Sequence, residues 1–332
     1  MAKFNLYRLH FTTPVHLGDN REDYGISLRT IQSDTLHAAI ICCLANIGEP
    51  IPADGDLGCA ISSLFPFYQK EEKSKAVYFF PKPLKQELPR LEKVENAKKI
   101  KKVRWLDSTY FEKAINGNAL FETETVIDAI RNDYLTNEPI DENFITSSVS
   151  PRVTVSRTGD EDANPFYMDR VYFKDRCGLF FITMRDSELL EKGLTILQHE
   201  GVGTDRNVGN GYFEFEKDTI ELALPTESEL SMSLSMFIPE NKQQLQALLS
   251  GDDEAYDFTR RGGWISTPPH NTIRKNIVHA FMPASLFSKP SIKPEVLGKT
   301  VNLVPKLQLE GIAEIEHPVW RCGKSIFIPV KL

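Results

Sequence analysis

Residues 201–213, GVGTDRNVGNGYF, place four glycines in a stretch of thirteen residues. Such density is costly, because glycine loses more conformational entropy on folding than any other residue and adds no side chain to a core. A helical pattern precedes the stretch, and the alternating YFEFE follows its last glycine. A nucleotide-binding glycine loop needs the opposite order, a strand before it and a helix after it, and a P-loop also needs Lys followed by Ser or Thr. The stretch therefore fits neither nucleotide-binding motif.

Two other interpretations of the glycine-rich stretch remain open. In the first, the glycines end the preceding helix and form a β-bulge. In the second, successive backbone amides form an anion-binding nest, because bare backbone allows a phosphate chain to approach closely. The second interpretation also accounts for the polar residues between the glycines, which are Thr204, Arg206, Asn207 and Asn210.

Length and composition narrow the class of protein. The 332 residues suggest two domains, and 41% hydrophobic with 26% charged residues is typical of a soluble globular protein. Five cysteines without a CxxC pair argue against a disulfide framework or a zinc site, and favour a reducing cytoplasm. We expect no membrane segment or signal peptide. The net charge of −7 argues against a generally basic surface, but a local basic patch is compatible with it because salt screens charges beyond about 8 Å.

The hydrophobic patterns predict two α+β units. A strand is expected over 4–11, followed by a helix capped by Ser33 and, after a less regular stretch, by a long β-hairpin over 150–173 with an apolar Phe-Tyr-Met run at its tip. A buried strand, a second helix and another strand come next. After Pro225 a similar series of strands with one short helix begins again. Each unit is expected to have antiparallel strands with helices on one face.

Residues 82–104 form a basic stretch, in which nine basic and three acidic residues give a net charge of +6. One interpretation is the solvated face of a helix or loop. The other is a surface for RNA or an acidic partner.

Several motifs resemble a known family. The spacing Gly-Val-Gly-x5-Gly-x-Gly-aromatic-Phe, after a helix and before a strand, resembles the C-terminal glycine-rich motif of the RAMP superfamily, the RNA-binding proteins of CRISPR systems. The segments LHFTTPVHLGDN, SDTL, RRGGWIS and HPVWRCGKSIFIPV resemble parts of the fourth subunit of the Csm (type III-A CRISPR) interference complex. Together these segments cover both halves of the chain and leave residues 49–150 largely unmatched.

The resemblance implies an α+β fold of two ferredoxin-like (RRM-type) domains, over 1–224 and 225–332. The first domain would carry the insertion 49–150 and a protruding β-hairpin, or thumb, over 150–173. The implied role is antiviral defence without catalysis, cofactor or metal. Such a subunit holds the repeat-derived 5′ handle of the CRISPR RNA, docks the large polymerase-like subunit and lies beside a RAMP backbone subunit, in the cytoplasm and away from membranes.

Motifs and resemblance together give the candidate RNA contacts. Glycines allow close approach, arginines contact phosphates, and aromatic rings stack on splayed bases. The candidates are His16, Gly18, Ser33, Asp34, His37, Arg152, Arg157, Phe166, Tyr167, Met168, Gly201, Gly203, Thr204, Arg206, Asn207, Gly209, Gly211, Arg260, Arg261, Gly263 and Trp264. Other interpretations stay open for some of them: Ser33 and Asp34 fit a helix cap, the hairpin arginines fit solvated strand positions, and the RRGGW run fits plain packing or a domain interface.

The main alternative function is a metal-independent endoribonuclease that uses His37. A histidine with a pKa near ~6.5 is suited to deprotonate a 2′-hydroxyl and to protonate the leaving oxygen. A lone histidine beside an apolar helix stripe is more often packed or an RNA contact. A third hypothesis is a scaffold that contacts only protein, with the glycine-rich stretch as architecture.

Overall fold

The computed structural model describes residues 1–18, 24–85, 94–121, 124–155, 163–306 and 314–331. These residues form five α-helices: α1 (Ser33–Asn46), α2 (Val94–Lys102), α3 (Ser108–Ile115), α4 (Glu188–Glu200) and α5 (Lys242–Leu248). None of the described helices has the length and apolar character needed to cross a lipid bilayer.

The same residues form eighteen strands. They are β1 (Ala2–Phe11), β2 (Phe65–Tyr68), β3 (Val77–Pro81), β4 (Trp105–Asp107), β5 (Ile130–Arg131), β6 (Tyr134–Leu135), β7 (Ile145–Thr154), β8 (Asn164–Phe173), β9 (Gly178–Thr183), β10 (Phe213–Leu222), β11 (Ser228–Ser233), β12 (Phe258–Arg261), β13 (Val278–Phe281), β14 (Leu286–Ser291), β15 (Glu295–Leu297), β16 (Thr300–Asn302), β17 (Trp320–Cys322) and β18 (Ser325–Val330). The mixed α+β architecture predicted from the sequence is confirmed.

Eight strands form the N-terminal sheet, in the order β10-β1-β9-β2-β3-β4-β6-β5. The predicted strand over 4–11 is confirmed within β1, which pairs antiparallel with both β10 and β9. Alternate side chains of a strand face opposite sides of the sheet. Tyr7 and Leu9 accordingly pack with the helices α1 and α4, whereas Phe4 and Leu6 pack with strands of the C-terminal half. The sheet is therefore covered by two helices on one face and by the second half of the chain on the other.

The segment 49–150 is built into this sheet. Strand β2 lies within that range and pairs with β9 in the middle of the sheet, and β3, β4, β6 and β5 continue the sheet outward. Helix α3 packs against the extension, and the rings of Phe111 and Phe80 stack with their centroids 4.6 Å apart. The segment thus enlarges the N-terminal sheet.

Part of the basic stretch over 82–104 forms helix α2. Ile100 and Val103 are buried in the core, and the basic side chains on the opposite side are exposed: Lys98, Lys99, Lys101 and Lys102. This division matches the solvated-face interpretation. Residues 86–93 of the stretch lie outside the described residues.

Strands β7 and β8 form a long antiparallel hairpin, from Ile145 opposite Phe173 to Thr154 opposite Asn164. The prediction that Phe166, Tyr167 and Met168 lie at its tip is wrong, because strand pairing continues beyond them to Asn164. Tyr167 is 67% exposed and Met168 is buried. Residues 156–162, with the candidate Arg157, lie outside the described residues.

The loop that follows β1 runs along the outer edge of β8. Val15 and Val171 exchange backbone hydrogen bonds of 2.9 and 2.8 Å, and the Asp169 amide donates to the Tyr24 carbonyl at 2.8 Å. The hairpin is therefore anchored to the loop that carries His16 and Gly18.

The C-terminal half contains a sheet in the order β14-β11-β18-β15, the two-stranded ribbon β12-β13 and the pair β16-β17. Its first strand, β11, lies between the second and the last strand of its sheet. The corresponding strands of the N-terminal sheet are β1, β2, β9 and β10. Among these, β1 lies instead between the third strand, β9, and the last strand, β10. Among the described residues of this half, α5 is the single α-helix. The two halves therefore differ in strand order.

Candidate nucleic-acid interface

A cleft of about 1270 Å³ lies between the two halves of the chain. The N-terminal half contributes His16, Gly18, Tyr24, Thr35 and Thr204 to its walls. The C-terminal half contributes Gly263, Trp264 and five cationic side chains, namely Arg260, Arg261, Arg274, Lys275 and Arg321. No Asp or Glu is among the described residues that line it. The cleft is therefore a strongly positive concavity on a chain of net negative charge.

Seven of the predicted site residues line this cleft: His16, Gly18, Thr204, Arg260, Arg261, Gly263 and Trp264. They come from three distant segments of the sequence. The fold thus brings together the first loop, the glycine-rich stretch and the RRGGW run, which the sequence motifs singled out separately.

Asp34 lies beneath the cleft and holds two of its arginines. Its carboxylate is 1% exposed. It accepts hydrogen bonds from Arg261 at 2.7 Å (Nε) and 2.9 Å (Nη2), and from Arg321 at 3.1 Å (Nη1). The prediction of Asp34 as an RNA contact is wrong, because both of its oxygens face guanidinium groups inside the protein. Its role in the cleft is to position two cations.

Ser33 also joins the two halves. The prediction that it caps α1 is wrong, since Gln32 occupies the N-cap position and makes no side-chain capping bond. The Ser33 hydroxyl instead accepts a hydrogen bond of 2.9 Å from the Met236 amide. Its own amide donates to the Ser63 hydroxyl at 3.1 Å. With Ser33 buried in this way, the first turn of α1 serves as a joint between the halves.

The wall formed by the C-terminal half is ordered by its own contacts. The Arg274 guanidinium lies 4.9 Å from the centroid of the Trp264 ring, and the Lys275 amide donates to the Gly263 carbonyl at 2.8 Å. Burial, together with the charge of Arg321, lowers the pKa of the Lys275 ammonium. A partly buried cation beside other cations gains stability when an anion binds.

The glycine-rich stretch is shaped mainly by contacts within the protein. Gly201 ends α4, which confirms the helix-ending interpretation. A Cβ on Gly203 would lie 2.4 Å from the His16 carbonyl oxygen, and one on Gly211 would lie 2.0 Å from the Val202 carbonyl oxygen. Both residues also have positive φ, at 94° and 81°. These two glycines therefore allow the stretch to pack against its own backbone and against the first loop. The Thr204 amide donates a hydrogen bond of 2.9 Å to the His16 carbonyl.

The outer part of the stretch faces solvent. Gly209 has open space around its Cβ position. Arg206 and Asn207 are exposed on a short 3-10 helix, Arg206–Val208, and the closest carboxylate oxygen to the Arg206 guanidinium, from Glu200, is 4.0 Å away. This part of the loop remains available to a ligand but does not line the cleft.

The hairpin approaches the same region from the side. The His16 Nδ1–H donates to the Asp169 carbonyl at 2.7 Å, and the rings of Tyr24 and Phe166 lie 5.6 Å apart. Arg152 reaches within 3.6 Å of the Asp205 carboxylate in the glycine-rich stretch. The hairpin therefore supports the first loop, and Tyr167 is an exposed aromatic residue of the hairpin.

His37 is separated from the cleft by burial. Its side chain is 2% exposed, and its Nε2–H donates to the Gly55 carbonyl at 2.9 Å. Burial lowers its pKa to about 4. A ring in this setting presents no exposed nitrogen to an RNA on the surface, so the geometry gives no support to an RNA contact or a general acid/base role.

Sequence reasoning missed nine cleft residues, among them Tyr24, Thr35, Arg274, Lys275 and Arg321. The NTIRKNI run and the HPVWRCGKS segment carried the signal for the cations. These cations reach the cleft only because the ribbon β12-β13 and the strand β17 lie beside α1. Local sequence patterns do not predict that arrangement.

Comparisons with known proteins bear on this arrangement. Residues 226–330 match the family model of the CRISPR Csm4 C-terminal domain. The chain is 26% identical over 220 residues to the CRISPR system Cms protein Csm4 of Thermococcus onnurineus (strain NA1), a match that spans 62% of this chain and 64% of that protein. It is 26% identical over 260 residues to the Csm4 protein of Streptococcus thermophilus, which covers 76% of this chain and 77% of that protein.

Solved structures share the fold. The Csm3-Csm4 subcomplex of the type III-A CRISPR-Cas interference complex contains a chain that is 17% identical with a TM-score of 0.56, covering 99% of this chain and 100% of that chain. A chain of the Csm1-Csm4 cassette in complex with cA4 is 18% identical, also with a TM-score of 0.56, over 99% and 98% of the two chains. The family model over 226–330 and the curated relatives confirm the resemblance to Csm4 that the sequence motifs indicated, and the solved structures share the fold.

Proposed function

We propose that this chain is the non-catalytic subunit of a type III-A CRISPR effector that holds the 5′ handle of the CRISPR RNA in the basic cleft. The observation that carries the proposal is the cleft itself, where five cationic side chains converge without a lining carboxylate among the described residues. Phosphate groups supply the complementary charge, and single-stranded RNA is usually bound through its backbone and splayed bases.

Specific residues fit distinct parts of this task. Arg260 and Lys275 are the cations best suited to phosphates, because Arg261 and Arg321 already share Asp34. Thr204 offers a polar side chain on the opposite wall, where His16 is buried and bonded to the Asp169 carbonyl. The exposed Arg206 and Asn207, together with Gly209, extend the path beyond the cleft. On the hairpin, Arg152 and Tyr167 are proposed as further contacts in the role of the thumb.

Partner subunits follow from the relatives. Solved Csm4 chains are assembled with Csm1 and with Csm3. We propose that this chain likewise docks a large polymerase-like subunit of the Csm1 kind and an adjacent backbone subunit of the Csm3 kind, in the cytoplasm. No cofactor is required for this role.

The finer fold assignment is also a proposal. The elements β1, α1, β2, β9, α4 and β10 follow a βαββαβ order, and their strands lie in the order β10-β1-β9-β2. This arrangement supports a ferredoxin-like N-terminal domain over 1–224. A second ferredoxin-like domain over 225–332 has weaker support, because its strand order differs.

The experiment is to tag the full chain in cells that carry its CRISPR locus, and then to sequence the co-purified RNA and identify the co-purified proteins. We expect intact RNAs with one repeat-derived 5′ end, together with a large polymerase-like subunit. Lys275→Glu should reduce the RNA recovered, while Lys70→Glu, the same charge change at an exposed position outside the cleft, should not. RNA cut at a single site without a large partner would favour the endoribonuclease, and absence of RNA would leave the scaffold hypothesis.

A further inference from the structure

The outer face of the ribbon β12-β13 carries a row of exposed apolar and aromatic side chains. Phe258 and Ile277 are each 56% exposed. The Phe258 ring lies 6.0 Å from the ring of His279, at 71° to it, and 6.4 Å from the ring of Phe281. Phe281 is half-buried, which leaves Phe258, His279 and Ile277 as the exposed side chains of the row.

Strand register connects this row to the cleft. Arg260 pairs with His279 and Phe258 pairs with Phe281. Paired residues and alternate residues of a strand share a face, so these four side chains lie on one side of the ribbon. Arg260 and Ile277 also line the cleft. The ring row is therefore a continuation of the basic surface.

The two consecutive arginines of β12 have separate roles. Arg261 points to the inner face and pairs with Asp34. Arg260 lies on the outer face, is exposed, and forms no ion pair with any residue in the described part of the chain. The nearby Asp257 carboxylate accepts a hydrogen bond of 2.8 Å from the Phe258 amide, which holds it to the backbone. A free guanidinium beside an exposed ring offers one contact for a phosphate and one for a base.

We propose that the outer face of this ribbon is a base-stacking subsite for single-stranded RNA that leaves the cleft. Phe258 is the stacking platform, His279 borders it, and Arg260 holds the phosphate between cleft and subsite. The combination of aromatic rings with a cationic groove is typical of single-strand binding that tolerates any base, because every base has a π-face. The inference rests on the proposed function, since the RNA must first occupy the cleft.

The test measures binding of the full-length chain to a fluorescein-labelled, 12-nucleotide single-stranded RNA of mixed sequence, at several salt concentrations. Phe258→Leu keeps an apolar side chain, of smaller volume, and removes the aromatic face. We expect it to weaken binding roughly 5- to 150-fold, the loss of one base stack, with an unchanged salt dependence. Phe258→Trp should restore binding. Tyr172→Leu, at another exposed ring, is the matched control. RNAs that carry 2-aminopurine at successive positions should show one position whose quenching is lost in Phe258→Leu.

Each other outcome overturns the proposal in a distinguishable way. If Lys275→Ala weakens binding and Phe258→Leu does not, the cleft binds RNA and the stacking subsite is wrong. If neither change has an effect, the proposed function fails as well. If Phe258→Leu leaves RNA affinity intact but abolishes recovery of a protein subunit from cells, the ring row is a protein-docking surface.

Discussion

Asp34 and Arg261 are 227 residues apart in sequence and form a two-point contact, with Nε–Oδ2 and Nη2–Oδ1 distances of 2.7 and 2.9 Å. Arg321 joins the same carboxylate from strand β17. The carboxylate also lies in the first turn of α1, where the helix dipole favours negative charge. One buried anion thus sets the position of two cations in the cleft wall and ties the halves of the chain together.

Replacing Asp34 should therefore destabilise the whole chain. Asp34→Asn leaves the buried guanidinium of Arg321 and the partly buried one of Arg261 without a counter-charge, and the free energy of unfolding is expected to fall by about 3 kcal/mol. Urea unfolding of the full chain measures this. Asp218→Asn is the matched control, because that carboxylate is exposed and lies 3.9 Å from Arg8. Equal losses in the two variants would contradict the bridging role.

The glycines of the 201–213 stretch should differ in their sensitivity. Gly211→Ala would place a Cβ against backbone atoms of Val202, and we expect it to lower the free energy of unfolding well beyond the strain of its positive φ. Gly209→Ala meets open space and should cost only the left-handed backbone penalty, about 1–2 kcal/mol. Denaturant unfolding of both variants tests whether Gly211→Ala loses more free energy of unfolding than Gly209→Ala. A larger loss for Gly209→Ala would show that the loop is held differently.

His37 should make stability depend on pH. Its pKa is about 4 in the folded chain and near ~6.5 when unfolded. Between these values the unfolded state binds more protons, so this residue lowers stability as the pH falls. The expected loss is about 2 kcal/mol between pH 7 and pH 5.

Unfolding of the wild type and of His37→Gln at pH 7, 6 and 5 isolates that contribution. The difference in stability between the two proteins should narrow or reverse in favour of the variant as the medium becomes acidic. His199→Gln changes an exposed helix position, and its free energy of unfolding should change with pH in the same way as that of the wild type. Parallel curves for His37→Gln would mean that the ring can be protonated within the fold.

Salt dependence should identify the cleft cations that contact phosphates. For single strands, each phosphate contact contributes about −0.7 to the slope of log affinity against log salt. Lys275→Ala and Arg260→Ala should each make the measured slope shallower by about that amount. Lys70→Ala should leave it unchanged. Unaltered slopes in both cleft variants would place the RNA elsewhere.

The sequence patterns predicted local features well. The alternation of residues 4–11, the helix-ending role of Gly201 and the order of helix, loop and strand around the glycines all depend on neighbours in sequence, and the structure agrees with them.

Side-chain partners from distant segments could not be predicted in this way. Asp34 has the polarity of a contact residue, and nothing near it in sequence shows that Arg261 and Arg321 will enclose it. Gly203 needs a bare Cα because of the His16 carbonyl, which is far away in the chain. The error at Phe166–Met168 has a different cause: turn-forming residues between two strands do not reveal how far pairing continues.

The contributors to the cleft wall are spread from His16 to Arg321. A chain that is still being synthesised therefore has its carboxylate at position 34 long before it has the arginine at 321. We expect the cleft to form only after residue 321 has been synthesised, so that a product truncated before that position would lack a complete cleft wall.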